Sequence, residues 1–87
     1  MKWTVLWVPD AEQELVEIWL ASADRNRVTA AANEIDGRLR IDPENQGESR
    51  EQSLRVLLVP PLGVDVEVRP QDRAVQVLAV WTYRSPG

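Results

Sequence analysis

The 87-residue sequence has no cysteine and no histidine. Without cysteine there are no disulfides, thiolate nucleophiles or cysteine-held zinc or iron–sulfur centres. Without histidine the commonest general base and the commonest metal ligand are missing. Ser–His–Asp and Cys–His catalysis are therefore excluded. A basic surplus is missing too: ten Lys and Arg face fourteen Asp and Glu, for a formal charge of −4. That balance argues against a general nucleic-acid binder. Apolar runs such as Val56 to Val59 fall far short of the ~20 residues a membrane span needs. The segment before Pro9 and Asp10 is too short and too weakly charged for a secretory signal. These features predict a soluble protein of the cytoplasm with no membrane partner.

What is present suits one small domain over residues 1–87, for which four tryptophans supply core volume. Residues 3–8 are β-branched and aromatic and read as a strand. Pro9-Asp10 then opens a helix, with Asp10 as N-cap and Gln13 in the capping-box position. Ala11, Leu15, Ile18, Trp19 and Ser22 form its apolar face. After a cap at Asp24 or Asn26, a second stripe runs through Val28, Ala31, Ala32, Ile35 and Leu39. It stops at Asp42-Pro43, because proline disfavours helix at the residue before it. Residues 43–52 read as an exposed loop.

The remainder is β. Ser53–Val59 is one strand, and residues 60–63 form a turn. Val64, Val66 and Val68 then alternate inward against Asp65, Glu67 and Arg69. After a reversal at 70–72, the last strand places Val75, Val77, Ala79 and Trp81 on one face. The order β-α-α-β-β-β is that of an α+β domain, a helical hairpin packed on a small, three- or four-stranded, mainly antiparallel sheet. Trp3, Trp7, Trp19 and Trp81 are all read as core.

Several segments, taken in order, resemble the RelE/ParE toxin superfamily of bacterial type II toxin–antitoxin systems. They are Pro9 to Trp19, Ala31 to Asp36, Asp42-Pro43, Gly47 to Arg50, Leu54-Arg55-Val56, Pro61 to Val64 and Val75 to Trp81. The resemblance implies a toxin neutralised by a cognate antitoxin, with no cofactor and no metal. In the RelE branch it implies ribosome-dependent mRNA cleavage, with ribosome and mRNA as partners. In the ParE branch it implies inhibition of DNA gyrase without catalysis.

RNA cleavage through the 2′-hydroxyl needs a proton acceptor, cations on the phosphate and a proton donor to the leaving oxygen. The resemblance matches Arg55, and Arg84 with Tyr83 beside it, to candidate catalytic positions; Arg50 in the preceding loop can swing over the same face, and the convergence of these four is the reason to read the nuclease branch first. Leu57, Gly63 and Val66 stand where that branch carries basic or aromatic residues. Asp65 and Glu67 add negative charge on the face of Gly63. These departures and the acidic balance speak for the gyrase branch, or for a degenerate member without toxicity. The plain alternative for the arginines is solvation or pairing with Asp65 and Glu67, and for Tyr83 simple packing. Asp10, Glu12, Glu14 and Glu17 form a solvated helix face or meet a basic partner segment.

Overall fold

The computed structural model describes residues 2–83. Strand β1 (Thr4–Trp7) leads after one residue into helix α1 (Pro9–Ala21), and α2 (Arg25–Ile41) follows. Strands β2 (Glu48–Ser49), β3 (Leu54–Val59), β4 (Leu62–Arg69) and β5 (Ala74–Thr82) complete the chain. They form a five-stranded sheet in the order β1-β5-β4-β3-β2, so the first strand lies beside the last. That pair is parallel and the others are antiparallel. The α+β fold expected from the sequence is therefore present, with one strand more than the four at most expected.

Helix α1 starts differently from the capping box. Val8, in extended conformation, is the N-cap without a side-chain hydrogen bond, and Pro9 is the first helical residue. Proline suits that position, since its ring fixes a helical φ and its missing N–H would have no partner there. Asp10 and Glu12 lie in the first turn, where they complement the helix dipole. Helix α2 is capped as expected, the Asp24 side chain accepting from the Arg27 N–H at 3.2 Å.

The core lies between the hairpin and one face of the sheet. Val28, Ala31, Ile35 and Leu39 of α2 meet Val5, Leu57, Val64, Val66, Val75 and Val77, all buried. Trp3 is buried in that cluster and Trp7 packs against it, as expected. Valine suits these strands, because its branched Cβ packs well on a pleated surface.

Two expectations fail in β5. Across the sheet Asp65 pairs with Ala79 but Val66 pairs with Val77, so Leu78 is left over as a bulge. One extra residue reverses the alternation beyond it. Val80 consequently enters the core, and Trp81 lies on the opposite face beside Gly63. Trp19 is not core either. It is 37% exposed, its Nε1–H donates to Thr29 Oγ1 at 3.2 Å, and the Arg25 guanidinium lies 4.6 Å from its ring centroid. The polar segment 43–52 is not all loop, because Pro43–Asn45 forms a 3-10 turn and Glu48–Ser49 pairs with β3.

Candidate functional site

Pairing and pleat decide where each candidate points. In β3, Arg55 pairs with Val66 and Leu57 with Val64. Both therefore face the helices, while Leu54, Val56 and Leu58 face away. Arg55 turns toward the chain end of α2: its Nε donates to the Gln46 carbonyl at 2.7 Å and its Nη2 to the Gly47 carbonyl at 3.3 Å. Gly47 has φ +64°, and a Cβ there would stand 2.0 Å from the Val56 carbonyl oxygen. A side chain has no room at that point, and the glycine lets segment 46–47 press onto β3. Arg55 is thus the clamp of that segment.

Arg50 lies nearby in the β2–β3 connection. Its N–H donates to the Leu54 carbonyl at 2.9 Å, and its guanidinium stands 3.4 Å from Glu48. Tyr83 is half-buried at the other end of the sheet, its N–H donating to the Pro61 carbonyl at 2.7 Å. Val59 pairs with Leu62 and Leu62 with Thr82. Arg55 is therefore four strand residues away from the Tyr83 end, roughly 13 Å at about 3.3 Å per residue. Arg50 and Arg55 lie at the same end of β3 but hold different partners, and Tyr83 lies at the other end. Arg84 lies outside the described residues.

The face of the sheet away from the helices carries Leu54, Val56, Leu58 and Trp81, with Asp65 and Glu67 among them. Neither acid pairs with Arg50 or Arg55. Glu67 accepts from Arg69 Nε at 2.9 Å, so these two charges on β4 match each other. Val66 is in the core at 1% exposure.

A second surface runs along the seam of α1 and α2. Leu15, Val16, Trp19, Leu20, Val28 and Thr29 line an open groove of about 360 Å³ that is almost wholly apolar. It shares Leu15 and Val16 with a neighbouring groove of about 420 Å³ that also contains Leu6, Glu12 and Asp36. Val16 and Leu20, four residues apart, lie outside the apolar stripe read from the sequence. That second i, i+4 pair on one helix was the signal for this surface.

The architecture matches solved structures along nearly its full length. The toxin–antitoxin complex RelBE2 from Mycobacterium tuberculosis superposes with a TM-score of 0.79 at 14% identity, over 98% of this chain and 95% of that one. The chromosomal ParDE toxin–antitoxin system from P. aeruginosa gives 0.65 at 15% identity, over 94% and 97%. The isolated E. coli RelE toxin gives 0.66 at 9% identity, over 97% and 87%. The chain has the RelE/ParE toxin fold. No family model and no curated protein sequence matches it, so the likeness is one of structure. Both branches of the RelE/ParE fold stand among these neighbours. Among the described residues, no helix is long and apolar enough to cross a membrane.

Proposed function

We propose that the chain is the cytoplasmic toxin of a type II toxin–antitoxin pair, and that it acts by binding a protein target rather than by cutting RNA. DNA gyrase is the target that the ParE branch suggests. One observation carries the choice of branch: the open sheet face presents Leu54, Val56, Leu58 and Trp81 around Asp65 and Glu67. A phosphate approaching either carboxylate meets like charge, at a cost of about 1 kcal/mol for 4 Å separation even at the dielectric of water. Apolar side chains around a few charges suit a protein surface better than a polyphosphate. Arg55 supports the same reading, since it faces the helices and holds two backbone carbonyls.

The second reading is ribosome-dependent mRNA cleavage. It draws on Tyr83, anchored through Pro61 at the Trp81 end of the sheet, together with Arg84. Expression from a tight promoter separates the two. Growth arrest with altered plasmid supercoiling and gyrase-dependent DNA breaks is the expected result. Codon-phased cuts in mRNA would establish the nuclease reading instead. Soluble protein with no effect on growth would sink both.

A further inference from the structure

We propose that Asp65 and Trp81 form a receptor for one arginine side chain of the protein target, set in the middle of the open sheet face. The proposal rests on the protein-binding reading and adds the group by which the target is recognised. Three observations carry it.

The carboxylate is unmatched. Among the described residues the strands hold three acids, Glu48, Asp65 and Glu67. Glu48 stands beside Arg50 and Glu67 beside Arg69, whereas Asp65 has no ion-pair partner among these residues. It is nonetheless half-buried, and it pairs across the sheet with Val56 on one side and Ala79 on the other. A carboxylate framed by apolar side chains is partly stripped of water, which strengthens its attraction for a cation.

An aromatic ring stands next to it. Gly63, in the neighbouring row of the same face, pairs with Leu58 and Trp81. The Trp81 indole lies in the space that a side chain at Gly63 would fill. Gly63 and Asp65 are two strand residues apart, about 7 Å. Trp81 is therefore the diagonal cross-strand neighbour of Asp65, a spacing that long side chains bridge. The ring is half-buried, so part of it remains accessible.

This pair suits a guanidinium. Its planar group can stack on an indole while its N–H fork points in plane at a carboxylate. An ammonium is a compact, strongly hydrated point charge and uses the two elements less well together. Leu58, 42% exposed, and Val56 supply apolar surface for the methylene stem. An acidic segment would be repelled by Asp65 and Glu67.

The test uses the purified chain and a displayed library of nine-residue segments. The central position is arginine, lysine, glutamine or glutamate, and the flanks are randomised. Counter-selection on Asp65→Asn removes segments that bind elsewhere. Arginine should dominate the centre of the remaining pool. Asp65→Asn should weaken the best binder about tenfold or more, as loss of a charge-assisted contact implies. Its circular dichroism should match the parent's, since Asp65 holds no partner. Trp81→Leu should also weaken binding, and Trp81→Phe, which keeps a ring, should weaken it less. Glu48→Gln, which makes the same change of charge on β2, should leave affinity within twofold. An empty pool, lysine enriched as strongly as arginine, a glutamate-centred pool, or equal loss in Glu48→Gln would each overturn the proposal. Self-association of the chain that Asp65→Asn disperses would overturn it in favour of a second copy. The two readings fail separately: codon-phased mRNA cuts retire the protein target but not a measured arginine site. Gyrase-dependent arrest with an empty pool keeps the target and removes the arginine site.

Discussion

Trp81 lies across Gly63. The two are paired between β5 and β4, and a Cβ built on the glycine would stand 2.6 Å from the indole Cε2. Substitution of Gly63 therefore needs Trp81 to move. Gly63→Ala should cost about 1–3 kcal/mol in urea denaturation, the usual penalty for overpacking. Gly63→Arg, whose side chain is far larger, should cost more. Adding Trp81→Ala to Gly63→Ala should recover part of the loss; strict additivity of the two changes would show that the ring is not the obstacle.

Arg55 is expected to matter to segment 46–47 before it matters to any target. Arg55→Ala removes two charged hydrogen bonds to backbone carbonyls, each of a kind worth about 1.5–3 kcal/mol when buried and less where water competes. Limited proteolysis should then begin within residues 43–52 at protease levels that leave the parent intact. Arg55→Lys should protect only in part, since an ammonium lacks the planar fork that reaches both oxygens. Loss of growth arrest in an Arg55→Ala protein with unchanged proteolysis would give Arg55 a direct functional role instead.

Glu14 finishes a sheet edge. Strand β1 pairs with Ala74 to Val77 and goes no further, leaving the rest of β5 beside α1. There the Val80 N–H donates to Glu14 Oε1 at 3.0 Å. Glu14→Ala should lower stability by about 1–2 kcal/mol, because a half-buried donor loses its acceptor. Glu14→Gln, which keeps an acceptor oxygen, should lose less. Thermal melts of the three proteins decide it, equal losses for Ala and Gln pointing to charge rather than to the hydrogen bond.

Arg84→Ala distinguishes the branches within one residue. Under the protein-binding reading it should leave growth arrest within twofold at matched expression. Relief of toxicity by a folded Arg84→Ala protein would return the chain to the nuclease branch.

The sequence shows the layered fold because its periodicities are strong where one face is buried. Val64, Val66 and Val68 alternate cleanly, and Val28, Ala31, Ile35 and Leu39 keep one helical face. It hides what depends on a single extra residue. No composition cue marks Leu78 as unpaired, and that insertion alone turns Trp81 from the expected core to the open face. Strand β2 is concealed for another reason: Glu48 and Ser49 have no apolar face to repeat, and they pair because Gly47 and Arg55 bring them against β3. At the site, residue types suggested a cluster of arginines, yet the pleat of β3 sends Arg55 toward the helices and the register holds Tyr83 at the far end.

The place of β5 bears on how the protein is made. Thr4 pairs with Ala74, and β5 lies between β1 and β4. During translation the first strand and both helices leave the ribosome long before the strand that must slot between their sheet partners. Until residues up to Thr82 have emerged, β1 has no neighbour and the apolar side of α2 has only part of its floor. Such distant pairing makes folding a late event. A nascent chain thus lacks its completed sheet until its last strand is out, and a chain stopped before β5 should be cut readily by proteases.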